Sequence, residues 1–231
     1  SDTEVVLAAY TEYGQDCVEH FNGMFAFAVW DTEQRCLFAA RDRLGIKPLY
    51  YYHDGRVLLL ASEIKSLLLH PAVQPEIDGQ ALRDYLDLQY CLGDRTLFAG
   101  VRRLLPGHRL TWSETAGLRL ERYWDMDFEA ATLSADEATE SLRTLLKDSV
   151  RLRLRSDVPL GTHLSGGMDS SAIAALASEQ LDGQLSVFTG GFRESQRYDE
   201  SRYAKLMAEH VGAAYYEVFP TAQDLADSFS D

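Results

Sequence analysis

Basic charge is scarce in this 231-residue chain: 22 Lys and Arg stand against 36 Asp and Glu, a formal net charge of −14. Nucleic-acid surfaces need a basic footprint, so the balance argues against DNA or RNA as partners. Long apolar runs are missing as well. None approaches the ~18 residues of a membrane-spanning helix, although 46% of the residues are hydrophobic. No secretory signal is visible. Cysteine is rare, odd in number and scattered. Cys17, Cys36 and Cys91 form no CxxC pair and no metal-ligand spacing with the six histidines. Reduced, partly buried thiols of a cytoplasmic protein are the expectation. Internal repeats and low-complexity tracts are absent. So are the two common nucleotide-binding glycine signatures, GxxxxGK[ST] and GxGxxG. The chain opens at Ser1 on a capped helical pattern and stops at "ADSFSD" inside another. Both ends are expected to be interior positions of a longer protein.

The patterns that are present fall into two halves. Residues 2–13 read as an N-capped amphipathic helix carrying Val5, Val6, Leu7, Ala9 and Tyr10. Four aromatic and β-branched runs follow at 24–31, 36–42, 49–53 and 56–62, separated by turn signals. Short helices are expected at 62–70 and 78–90. A strand, a Pro-Gly turn and a second strand are expected across 96–113, and one more strand at 117–126. The character changes at the polar "DFEAATLSADEATE". A long helix over roughly 135–154 carries Ala138, Leu142, Leu145, Leu146, Val150 and Leu154 near a 3.6-residue period. Strands at 158–164, 185–189 and 214–218 then alternate with helices at 169–180, 200–211 and from 221 on. That alternation implies βαβ units and a parallel sheet. The domain boundary falls near 125–134, which divides the chain into 1–128 and 129–231.

"SGGMDSS", residues 165–171, joins the first of these later strands to its helix. A strand ending at Leu164 delivers Ser165 to the carboxyl edge of a parallel sheet, where open α/β folds bind ligands. Gly166 and Gly167 let the backbone turn sharply and approach an anion. The next helix points its free N–H groups and positive dipole end at the loop. Ser165, Ser170 and Ser171 add hydroxyls. The combination predicts a cradle for phosphate or pyrophosphate. Asp169 is the odd member, since a carboxylate beside phosphate repels it. It reads as a helix N-cap, as a Mg²⁺ ligand, or as both.

This loop resembles the SGGxDS signature of the PP-loop ATP pyrophosphatases. The longer string "SVRLRLRSDVPLGTHLSGGMDSSAIAALA", with "LSVFTGGF" and "RYDESRYAKLMAEHVGAAYYEV" after it, resembles the synthetase domain of glutamine-hydrolysing asparagine synthetases. "FNGMFAFAVWD", "RDRLGIKPLYYY", "ASEIKSLL" and "TLFAGVRRLLPGHRL" resemble the second half of a class II glutaminase domain. The resemblance covers almost the whole chain. It implies an α+β part followed by an α/β part: the C-terminal half of an Ntn-type αββα glutaminase domain, then the start of a Rossmann-like PP-loop synthetase domain. It also implies glutamine as amide donor, ATP and Mg²⁺, and aspartate or another carboxylate as acceptor. A homodimer is carried over as an expectation from the family.

Residue by residue, the resemblance implies that the Leu164 backbone meets adenine. Ser165, Gly166, Gly167, Asp169 and Ser170 would hold pyrophosphate and its Mg²⁺, with Asp169 as the metal ligand. Gly190 stands where the family has an apolar residue whose backbone meets adenine; a strand-end turn is the alternative. Asp2 matches the aspartate that binds the α-amino group of glutamine, and it also suits a helix cap. Arg41 and Asp42 are expected to form a structural ion pair that fixes the loop, with contact to substrate as the alternative. Asp199 and Glu200 are expected to cap a helix, with a role near the ATP or acceptor site as the alternative. His108 is expected at the surface or a domain contact, with a catalytic role as the alternative. The glutaminase's cysteine nucleophile would lie upstream of Ser1 and the rest of the synthetase site past Asp231, so the chain by itself is expected to be inactive. Two other readings stay open. One is a related amidotransferase or β-lactam-synthetase-like enzyme with a different acceptor. The other is a truncated, non-catalytic nucleotide-binding protein.

Overall fold

Period-2 alternation dominates the first half of the structure and helix–strand alternation the second, in two compact units, Ser1–Glu129 and Ala130–Asp231. The computed structural model describes residues 1–129, 132–191 and 199–228, with only the backbone of Leu225. Part of the string "LSVFTGGF", the start of "RYDESRYAKLMAEHVGAAYYEV" and the end of the last helical pattern lie outside the described residues, as do two residues of the expected boundary.

The first unit begins with α1 (Asp2–Tyr13), whose start is closed by the Ser1 amine on the Glu4 carboxylate at 2.5 Å. The expected amphipathic face is weak, with Val5 60% and Leu7 50% exposed. Only the Ala9–Tyr10 side packs inward. A 3-10 helix over Gly14–His20, not anticipated from sequence, buries Cys17 and Val18. The sequence runs on through β1 (Ala26–Asp31), β2 (Cys36–Arg41), β3 (Tyr50–His53), β4 (Leu58–Ala61), α2 (Ile64–Leu68) and α3 (Gly79–Leu88). It closes with β5 (Val101–Arg103), β6 (His108–Ser113) and β7 (Gly117–Arg122).

Two antiparallel sheets result, ordered β1-β2-β6-β7 and β4-β3-β5. β5 and β6 therefore lie in different sheets, and the Pro106-Gly107 turn carries the chain from one to the other. Alternate residues of each strand face opposite sides. Ala39 and Leu110 meet Leu49, Tyr51 and Leu104 between the sheets. Phe38 and Ala40 face the other way, under Cys17, Val18 and Tyr10. Tyr50 and Tyr52 turn towards Leu67 of α2. The first unit is thus mixed, with helices and two antiparallel sheets joined by apolar clusters.

The second unit starts with α4 (Ala135–Arg153), capped by Ser134 and Glu137 in reciprocal bonds. Its apolar stripe is only partly used: Val150 is buried, while Leu142 and Leu145 are exposed. β8 (Gly161–His163), α5 (Met168–Gln180), β9 (Ser186–Gly190), α6 (Ser201–Val211), β10 (Ala214–Val218) and α7 (Ala222–Asp227) follow. The sheet is parallel with order β10-β9-β8. Val150, Ala174, Ala177, Ala204 and Ala208 of α4, α5 and α6 pack with Leu164, Leu185 and Val187. Alanines on α5 and α6 allow both helices to lie close to the strands. No helix of the described residues is long and apolar enough to cross a membrane.

Candidate functional site

Leu164 leaves β8 almost fully buried and anchors the loop that follows. Its N–H donates to the Phe188 carbonyl (2.9 Å), and its carbonyl accepts from the buried Thr189 hydroxyl (2.7 Å). Thr189 was not singled out by the sequence. Its role comes from the neighbouring strand, which no local pattern reveals.

The loop then closes on itself. Ser165 N–H donates to Ser170 Oγ (3.2 Å) and Gly167 N–H to Ser165 Oγ (3.3 Å). The two serine oxygens are 3.0 Å apart, and Ser170 Oγ donates to the Gly167 carbonyl (3.2 Å). A hydroxyl has one proton. With Ser170 giving its proton to Gly167, Ser165 must give its own to Ser170. Neither hydroxyl then has a proton left for an incoming anion. The main-chain N–H groups of Gly166, Met168, Asp169 and Ser170 remain, without a partner among the described residues. Three of these are the first N–H groups of α5, a 13-residue helix. They fit an anion, and the helix dipole favours one there.

Gly167, not Asp169, is the N-cap of α5, with φ −69° and ψ 162°. The expected capping by Asp169 is corrected: it is the second helical residue, its carboxylate exposed and unbonded among the described residues. Its position in the first turn is favourable for a negative charge. Among the described residues no three His, Cys, Asp or Glu side chains stand together to hold a metal ion. Mg²⁺ usually takes only one or two carboxylates besides substrate phosphates and water. A free Asp169 fits that limited demand.

Gly166 has φ +86° and serves packing. A Cβ there would lie 2.8 Å from both Ala204 N and Tyr203 Cβ and 3.0 Å from the Glu200 carbonyl. The glycine lets the first turn of α6 touch the loop. At the end of β9, beside β8, Gly190 faces open space, with no atom within 4 Å of an added Cβ. Gly191 is the tighter position: a Cβ would meet the Phe219 ring at 2.5 Å and Asp199 Oδ1 at 3.2 Å. Asp199 Oδ1 accepts from Ser201 N–H (3.0 Å), and Ser201 holds that carboxyl below its usual range. Glu200 occupies the N-cap position of α6 without a side-chain bond, so the capping expected of both residues belongs to Asp199 alone.

Leu164, Ser165, Gly166, Gly167, Asp169 and Ser170 thus share one loop, and Gly190 ends the adjacent strand. Asp2 belongs to the first unit, exposed in the first turn of α1, where Ser1 is the N-cap. Its carboxylate makes no bond among the described residues. The expected Arg41–Asp42 ion pair is absent among the described residues. Asp42, 1% exposed, accepts from the N–H groups of Phe25, Ile46 and Lys47. His108 Nδ1 lies 2.8 Å from the Pro106 carbonyl, a local turn contact.

Comparison with known proteins adds to this geometry. The family described as "Glutamine amidotransferase domain" matches residues 1–124, and the family "Asparagine synthase" matches 141–231. The chain is 38% identical over its whole length to "Asparagine synthetase [glutamine-hydrolyzing] 3" of Bacillus subtilis, covering 40% of that protein. It is 32% identical to "Putative asparagine synthetase [glutamine-hydrolyzing] 2" of Methanocaldococcus jannaschii, again over its whole length and 46% of the relative. It is 36% identical to "Amidase chyE" of Penicillium rubens, with 100% of this chain and 36% of the relative covered. The chain therefore spans less than half the length of these relatives.

Proposed function

The chain belongs to the glutamine-hydrolysing asparagine synthetase family, a glutamine amidotransferase domain followed by an asparagine synthase domain, and from that premise we propose that it serves glutamine-dependent asparagine synthesis. In this reading residues 1–128 belong to an Ntn-type αββα glutaminase domain that releases ammonia from glutamine. Residues 129–231 begin a Rossmann-like PP-loop domain. There the aspartate β-carboxylate attacks the α-phosphorus of ATP, and the bond to the β,γ-phosphates breaks to release pyrophosphate. Ammonia then attacks the acyl carbon and AMP leaves. A cytoplasmic location and a homodimer go with this reading.

The observation that carries it is the loop at 165–171, with its unpartnered N–H groups at the start of α5. Those donors would hold the pyrophosphate portion as charge develops on it, which is the electrostatic part of catalysis. Ser165 and Ser170 keep the loop in shape until the anion arrives, and their hydroxyls join only if their mutual bond opens. Asp169 would hold Mg²⁺, which when bound offsets phosphate charge. The open edge at Gly190 leaves room for adenine against the backbone beside Leu164. Asp2 would pair with the α-ammonium of glutamine.

The test is binding of ATP and of pyrophosphate to the folded chain by titration calorimetry with Mg²⁺ present. Saturable binding of both supports the reading, and absence of both overturns it. The acceptor is a separate question. The identity with a protein named an amidase supports a second reading, the same chemistry on another carboxylate. AMP release by a longer protein that contains this chain and both complete domains, measured with aspartate against a panel of carboxylates, separates the two. ATP binding by that longer protein with no AMP formed from any acceptor would leave a nucleotide-binding protein.

A further inference from the structure

The anion loop lies among carboxylates, with Asp169 on α5 and Asp199 and Glu200 leading into α6, in a chain of net charge −14. A bound polyphosphate would add further negative charge. One cation stands on the turn that touches the loop. Arg202 and Tyr203 lie in the first turn of α6, and Gly166 lets the Tyr203 Cβ rest against the loop. The Arg202 guanidinium lies 4.4 Å from the Tyr203 ring centroid, and its Nη2 donates to the Tyr203 hydroxyl at 2.5 Å. Tyr203 is thus held by the loop at its base and by Arg202 at its ring, although 48% exposed.

Arg202 makes no ion pair among the described residues, despite the two acidic residues just before it. A guanidinium presents five donors in a planar fork suited to two phosphate oxygens, and stacking on an aromatic ring reduces the entropy lost on binding. Among the described residues only one of its donors is engaged, by Tyr203. We propose that Arg202, held over Tyr203, is the positively charged arm of the anion loop and contacts the pyrophosphate portion of the nucleotide. This rests on the reading of the loop given above and names a residue which that reading does not include.

The experiment measures pyrophosphate and ATP affinity of the full chain for wild type, Arg202→Gln and Arg202→Lys. Circular dichroism and melting temperature establish that each variant is folded. Arg202→Gln is expected to weaken pyrophosphate binding roughly tenfold, the scale of one charge-assisted hydrogen bond. Arg202→Lys keeps the charge without the fork and should fall between the two. The wild-type affinity should also drop more steeply with added salt than that of Arg202→Gln. Affinities of Arg202→Gln within twofold of wild type would overturn the assignment and leave the loop reading intact. Failure of the folded wild-type chain to bind pyrophosphate or ATP would instead remove the loop reading, and this inference with it.

Discussion

Arg41 and Asp42 are adjacent in sequence and opposite in charge, yet each turns to the main chain instead of to the other. The Arg41 guanidinium donates to the carbonyls of Gly45, Lys47 and Leu104, each at 2.7 Å. The Asp42 carboxylate collects the N–H groups of Phe25, Ile46 and Lys47 at 2.9 to 3.2 Å. One residue satisfies the acceptors of the 42–48 loop and the other its donors. The loop is therefore fixed by a half-buried guanidinium and a buried carboxylate that each stay hydrogen-bonded, the condition under which burying a charge is tolerated.

Removing Asp42 should then be costly. Asp42→Ala leaves the Phe25, Ile46 and Lys47 N–H groups without the acceptor that a buried carboxylate gives them. The expected loss is about 3 kcal/mol or more. Denaturant unfolding followed by tryptophan fluorescence would read it as a lower midpoint. A midpoint equal to wild type would show that the carboxylate is not needed to hold the loop.

The two glycines of the anion loop should behave differently. Gly166→Ala puts a Cβ 2.8 Å from backbone of α6 at φ +86°, so both contact and conformation are unfavourable. It should lower the melting temperature and abolish nucleotide binding. At Gly167 the backbone is extended and the nearest atom to a Cβ is Ser165 Oγ at 3.3 Å. Gly167→Ala should fold almost as well as wild type and lose affinity only. Equal melting temperatures for the two variants would refute the packing role of Gly166.

Order and type of the longer elements were legible because they depend on local periodicity, as in α5, β9, α6 and β10. The misreadings share a different origin. Cys17 and Val18 gave no helical signal, and their 3-10 turn is held by packing on Phe38 and Ala40 of a strand later in the chain. Arg41 and Asp42 looked like a pair because their partners are main-chain groups, which residue type does not announce, and two of these, Leu104 and Phe25, are 63 and 17 residues away. Asp169 resembled a cap by residue type, but Gly167 supplies the extended backbone that starts the helix. Leu142 and Leu145 keep a helical period without being buried, since period fixes a face and not what covers it. The glycines of the candidate site were visible in sequence. That Gly166 faces a helix, and that Thr189 holds Leu164, follows only from tertiary contact.

α3 depends on a charged cap. Asp78 Oδ1 accepts from the N–H groups of Gln80 and Ala81, both at 3.0 Å. The Ala81 bond, helped by that of Gln80, lowers the carboxyl pKa from 3.8. For a depressed carboxyl the contribution is present above the unfolded pKa and is lost as pH falls through the folded one. Asp78→Ala should therefore cost about 1 kcal/mol near neutrality. The difference in melting temperature between wild type and variant should shrink as pH falls from 5 towards 2. A gap that stays constant over that range would mean that the cap acts without its charge.

Tyr123 gives the opposite sign at the other end of the pH scale. Its hydroxyl donates to the Arg41 carbonyl at 2.7 Å, and burial pushes its pKa from 10.0 up to about 12. The folded state favours the neutral phenol, so its contribution is complete below pH 10 and disappears as pH rises through about 12. Tyr123→Phe removes the hydrogen bond at a cost of about 1 kcal/mol near neutrality. It also removes the group that must ionise in alkali. Wild type should start more stable than the variant at pH 8, lose that advantage between pH 10 and 12, and end below it. Melting curves of both proteins across this range, with tyrosinate absorbance followed in parallel, would show the crossing. Parallel curves would mean that the Tyr123 hydroxyl is free to ionise in the folded protein and does not tie the residues after β7 to the end of β2.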